Sequence, residues 1–251
     1  MRYLDITEIR ENISTADIVK KHYRTASVFK KYGIDYCCGV KLPLSIACEM
    51  KHLDTEQILN ELKDAARVIN VSGFLPFKDW KTDFLTDYII NVHHQYLKQY
   101  LPAIKEQLQH FVEEHKKRIP ALADLEREFI SMEKIIGPHL QKEEDVIFPY
   151  IRQIAHAYES KESYASLLVR TLRKPVEGIM QQEHNIMEER LYRIRSLTDN
   201  YTPPESNCTG HRLSFSMLRE LDDDLVQHIN LENNILFPRA IAMETELLQR
   251  Q

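Results

Sequence analysis

Glycine is scarce in this chain, at 6 of 251 residues. Runs of Val, Ile and Thr that would build a sheet are rare, while charged residues reach 28%. Such a composition predicts an all-α protein. Basic runs are also missing and the net charge is −5. That leaves no electrostatic footing for nucleic acid or an anionic membrane surface. No apolar stretch approaches the length of a membrane span. The N-terminus, Met1 to Glu8, lacks the charged-then-apolar build of an export signal. The expectation is a cytoplasmic protein. Its four cysteines, Cys37, Cys38, Cys48 and Cys208, are then expected as reduced thiols, not as a disulfide framework.

What is present falls into two parts, with a boundary near Val71-Ser-Gly-Phe-Leu-Pro76. Residues 1–75 read as a small domain of short helices. Residues 76–251 carry four long apolar stripes. The first runs Ile90, His94, Leu97, Leu101, Ile104, Leu108, Phe111. The second runs Leu122, Leu125, Phe129, Met132, Ile136, His139, Glu143, Val146, Tyr150. The third is Met180, His184, Met187, Leu191, Ile194, and the fourth Met217, Leu221, Leu225, His228, Glu232, Ile235. Steps of three and four mark one buried face of a helix. Four such helices predict a four-helix bundle. Gly137-Pro138 predicts a kink before His139, because proline donates no backbone hydrogen bond.

The polar residues that interrupt these stripes are all His or Glu: His94, His139, Glu143, His184, His228 and Glu232. An ionised carboxylate buried without a partner is very costly, so two carboxylates and four imidazoles in one dry core call for metal. His-x-x-x-Glu puts both side chains on one face, a turn apart. It occurs twice, as His139-Leu-Gln-Lys-Glu143-Glu-Asp-Val-Ile-Phe-Pro149 and His228-Ile-Asn-Leu-Glu232-Asn-Asn-Ile-Leu-Phe-Pro238. The two carboxylates are placed to bridge two metals, with one histidine from each helix capping them. Imidazole with carboxylate suits iron or manganese and does not exclude zinc. Glu183 and Glu188 are candidate supporting residues just outside this set. His93, one step off the first stripe, is expected on the flank. His22, His52, His110, His156 and His211 are expected at the surface.

Tyr36-Cys37-Cys38-Gly39 is a second feature. Gly39 followed by Leu42-Pro43 suggests a turn entering a helix, where a thiol gains nucleophilicity. Soft-metal binding, disulfide exchange and ordinary packing all remain open for this pair.

Taken together, these residues resemble the iron–sulfur cluster repair di-iron proteins, also called the repair-of-iron-centres family. Phe29-Lys-Lys-Tyr-Gly-Ile-Asp-Tyr-Cys-Cys-Gly39 is similar to that family's cysteine-containing domain. His94 before Leu101-Pro102, Glu183-His184 and the two His/Glu motifs are similar to its hemerythrin-like domain. The resemblance implies a hemerythrin-like bundle holding two iron ions, in a homodimeric stress protein. Its expected clients are iron–sulfur proteins damaged by nitric oxide or peroxide, with Cys37 and Cys38 as candidate iron-transfer thiols. The expected mode is iron donation. The alternative is a di-iron protein that reduces or senses nitric oxide or oxygen. Oxygen-carrying hemerythrins typically use five histidines; here four lie on the stripes.

Overall fold

A computed structural model describes residues 9–36, 42–66, 75–161, 167, 169, 176–204 and 209–249, with the backbone alone for 176–179. Cys37, Cys38 and Cys208 lie outside the described residues. Every regular element among the described residues is helical; the one extended pairing is an isolated bridge between Ser14 and Pro43. No described helix is long and apolar enough to cross a membrane.

The chain forms two compact units. One comprises residues 1–75 and 201–219, the other 76–200 and 220–251. The first contains α1 (Thr15–Lys21), α2 (Ala26–Lys31), α3 (Leu44–Met50) and α4 (Thr55–Ala66). Ser14 caps α1 by accepting from the Asp17 backbone N–H at 3.1 Å, the bond that an N-terminal serine is suited to make. Gly33, at φ 62°, ends α2. The Ile34 N–H then reaches back to the Phe29 carbonyl and the Gly33 N–H to that of Lys30, a closure that needs a left-handed residue. Ile18, Phe29, Leu44, Ile58 and Leu62 form the core, joined by Leu213.

The second unit is built from four longer helices. α5 covers 82–115, α6 covers 122–159, α7 is Val176–Leu197 and α8 covers 209–249, of which residues 220–249 belong to this unit. Leu97, Leu101, Ile104, Leu108, Phe111, Leu125, Phe129, Met132, Ile136, Met187, Leu191, Ile194, Leu221 and Leu225 are all buried. Each large apolar side chain so buried contributes on the order of 1.5–3 kcal/mol. α6 remains helical through Gly137-Pro138.

Three of these helices contain one π-helical turn: Ile89–His94 in α5, Glu143–Ile147 in α6 and Glu232–Leu236 in α8. A π-turn carries one residue more than the regular spacing allows, and such turns gather at functional sites. The inward face therefore jumps by one. Val146, on the expected stripe, is exposed at 39%, while Ile147 and Phe148 are buried. Ile235 likewise yields its place to Leu236 and Phe237. In α5 the jump turns both His93 and His94 inward, so the flank position expected for His93 is wrong. In the repeat, Pro149 and Pro238 come two residues after the widened turns end, at Ile147 and Leu236, where the regular backbone bonding is already interrupted.

Candidate metal centre

Four helices bring His94, His139, Glu143, His184, His228 and Glu232 to one point inside the second unit, each at most 1% exposed. They form two overlapping groups. His94 and His228 converge with Glu143 and Glu232, and so do His139 and His184 with the same two carboxylates. His94 Nε2 lies 3.2 Å from His228 Nε2; His139 Nε2 lies 3.1 Å from His184 Nε2. Glu143 spans both pairs, with Oε1 at 3.2 Å from His139 Nε2 and Oε2 at 3.4 Å from His94 Nε2. Glu232 does the same, with Oε1 at 2.9 Å from His228 Nε2 and Oε2 at 3.2 Å from His184 Nε2.

The outer ring nitrogens explain why the inner ones face inward. His94 Nδ1 is 2.7 Å from Glu144 Oε1, and Lys98 Nζ holds that carboxylate at 2.7 Å. His139 Nδ1 is 2.8 Å from Glu183 Oε2, and Lys142 pairs with the other Glu183 oxygen. His184 Nδ1 is 2.8 Å from Asn233 Oδ1. An oxygen acceptor fixes the proton on Nδ1, so each Nε2 is left with a lone pair. Metal-bound histidines are oriented in this way.

In their neutral forms His139 and His184 turn lone pairs toward each other at 3.1 Å, which repel unless a cation lies between them; His94 and His228 face each other at 3.2 Å. Two imidazoles bound at right angles to one metal, at ~2.1 Å each, stand about 3 Å apart. Both Glu143 oxygens and Glu232 Oε2 are buried with no hydrogen-bond partner. Buried carboxylate oxygens do not remain so without a positive charge. The donor set therefore fits two cations sharing two carboxylates.

Titration behaviour agrees. Burial alone would depress His139, but the Glu143 carboxylate beside its Nε2 and the charge of Glu232, with Glu183 at Nδ1, push it up to about 9. His228 is raised against burial by Glu232 and Glu143. Glu232, despite its burial, is held well below the usual carboxylate range by His228 and His184. The site thus draws positive charge to itself.

Residues 85–240 match the hemerythrin HHE cation-binding domain, and residues 11–66 match a domain of unknown function, ScdA_N (DUF542). Relatives called iron–sulfur cluster repair protein YtfE occur in Enterobacter sp. (strain 638) and Citrobacter koseri. Each is 34% identical over 225 residues, spanning 88% of this chain and 93% of the relative. The protein of that name from Escherichia coli O8 is 35% identical over the same spans. This chain belongs to the family of iron–sulfur cluster repair proteins. As a member of the repair family it has a hemerythrin-like helical bundle and, within it, a metal centre.

Of the supporting residues expected from sequence, Glu183 touches His139 directly. Glu188 does not belong to the site: it is exposed, and Met187 takes the buried position one turn from His184. His211, expected at the surface, is 3% exposed with its ring edge-on to Phe215 at 4.3 Å. His115 Nδ1 donates to the Phe111 carbonyl of its own helix at 2.9 Å, outside the cluster. The sequence reading missed Glu144, Asn233 and His93. A signal existed for the first two: each directly follows a Glu of the repeated motif.

Proposed function

We propose that this chain holds two iron ions between its four inward histidines and two shared carboxylates, and repairs damaged iron–sulfur clusters by donating iron. The observation that carries the reading is the donor set, which is fully buried, offers nitrogen and oxygen only, and leaves three carboxylate oxygens unpartnered. Carboxylate and imidazole hold iron without the soft thiolates that anchor a cluster permanently. Iron kept this way is protected from solvent yet transferable to a thiolate-rich acceptor. The family's name for its members, a repair protein, supports the same direction.

In this reading His94, His228, Glu143 and Glu232 hold one iron, and His139, His184 and the same carboxylates hold the other. Glu144, Glu183 and Asn233 keep the imidazoles aimed inward. Cys37 and Cys38 take part in transfer, as an acceptor of departing iron or as the contact with a client. Damaged iron–sulfur proteins are the partners.

The test follows isotope-labelled iron from the loaded protein into a damaged [4Fe–4S] hydro-lyase, with recovery of hydro-lyase activity read alongside. Label should enter the client in step with activity. Iron that stays with the chain while it steadily consumes nitric oxide and reductant would overturn donation and establish the reductase alternative.

A further inference from the structure

The internal repeat extends to the groups that support the histidines, and it exposes one member without an assigned role. The residue after each repeated Glu anchors the histidine of the preceding helix: Glu144 holds His94, and Asn233 holds His184. The residue before His184 is Glu183, which anchors His139. Its counterpart before His94 is His93, and the histidine it should anchor is His228.

The structure places His93 where that role requires. Its ring lies parallel to that of His228, with an interplanar angle of 4° and centroids 5.7 Å apart. Phe148 and Phe237 stack on His94 and His184, whereas the ring lying parallel to His228 is polar. His93 is 1% exposed, and its Nδ1 lies 2.8 Å from Asp224 Oδ1. The carboxylate accepts, so the proton is on Nδ1 and the Nε2 lone pair is available. His93 Nε2 and His228 Nδ1 are both buried, and neither has a hydrogen-bond partner among the described residues. One is an acceptor. The other, on a histidine that offers Nε2 to metal, is a donor.

We infer that His93 is a positioning residue for His228, completing an Asp224–His93–His228 relay in which one water carries the hydrogen bond from His228 Nδ1–H to His93 Nε2. This rests on the reading that the centre holds two irons. The relay gives each iron one carboxylate-backed histidine, His94 or His139, and one backed by a neutral group, His228 or His184. It makes His93 a fifth histidine of the centre, acting from outside the metal.

His93→Phe keeps a ring in the wall but removes both hydrogen bonds. His93→Gln can donate to Asp224 and accept from His228. The measurements are the reduction potential of the iron pair and the rate of iron release to a chelator, in full-length loaded protein. His93→Phe should raise the potential, because His228 becomes a poorer donor, and speed release of iron by about tenfold or more. His93→Gln should return release to near the wild-type rate. Asp224→Asn, which leaves the ring in place, should shift both readouts in the same direction as His93→Phe and supplies the test if His93→Phe fails to fold. Wild-type potential and release in His93→Phe, or in Asp224→Asn if His93→Phe cannot be folded, would overturn the relay. So would a His93→Gln variant that releases iron faster than His93→Phe, the pattern of a ring that serves packing only. If the wild-type chain itself binds no iron pair, the underlying metal reading fails and the relay with it.

Discussion

Glu144 Oε1 sits 2.7 Å from the outer nitrogen of His94, and the same carboxylate is clasped by Lys98. Lys98 lies one turn beyond His94 on α5, so a surface cation and a buried imidazole share one acceptor. The Glu144 carboxyl is held low, against its partial burial, by Lys98 and His94.

Glu144→Ala is therefore expected to weaken iron retention by roughly 10–100-fold, the usual cost of losing the outer partner of a metal-bound histidine. Helix content should not change. Equilibrium competition with a chelator measures the first and circular dichroism the second. Unaltered retention would show that Glu144 serves the surface pair alone.

Glu143 and Glu232 each reach both histidine pairs, whereas each histidine serves one. Glu143→Ala should empty both metal positions. His184→Ala should weaken the His139 side first. Metal content per chain, with Mössbauer spectra to separate the two irons, distinguishes these patterns. A Glu143→Ala protein with full iron content would contradict the shared-carboxylate arrangement.

Metal uptake must displace protons. His139 is raised to about 9, so at neutral pH and without metal its imidazole carries a second proton that metal has to remove, and His228 is raised in the same direction. For each, the folded value lies above the unfolded one. Their contribution to metal-free stability is full below about pH 6.5 and is lost as pH climbs through the raised values. Iron affinity should accordingly increase from pH 6 toward pH 9, with proton release on binding. Calorimetry in buffers of different ionisation heat counts those protons; zero release at pH 7 would refute the prediction.

Glu220 gives a pH effect away from the centre. Burial, with the charges of Asp224 and Asp223, pushes its carboxyl up to about 7. A carboxyl raised on folding binds more protons in the folded state, so stability falls as pH rises from about 4.5 to 7. Glu220→Gln should raise the melting temperature at pH 8 and leave it nearly unchanged at pH 4. Equal shifts at both values would show that the charge is not responsible.

Replacing Cys37 and Cys38 tests delivery of iron apart from its storage. In a Cys37→Ser, Cys38→Ser double variant the iron content should match the wild type, because the six inward residues are untouched. Transfer of labelled iron to a client should fall by an order of magnitude or more, about the advantage of thiolate over hydroxyl toward iron. Normal repair by the double variant would remove the thiols from the mechanism and leave the metal centre standing.

Much of this centre was legible without coordinates because its chemistry is at odds with its surroundings. A Glu at a core position of a helix stripe, twice, four residues after a His, is hard to reconcile with a dry interior unless metal is bound. The surrounding stripes then fix which helices must meet. Glu144 and Asn233 were harder to see, since a polar residue next to a core position usually faces water. Glu188 misled for a related reason: one turn beyond His184 in sequence, it points to solvent because Met187 takes the buried place.

By itself the sequence determined the all-helical class, the four long stripes and the six side chains that share the core. These follow from composition and from a period of 3.6, which local backbone geometry imposes. Only the tertiary structure decided where that period breaks. Three π-turns shift the inward face by one residue, which buries His93 beside His228 and turns Val146 out. A widened turn satisfies its backbone through i to i+5 bonds, and a regular period read along the sequence cannot register the extra residue.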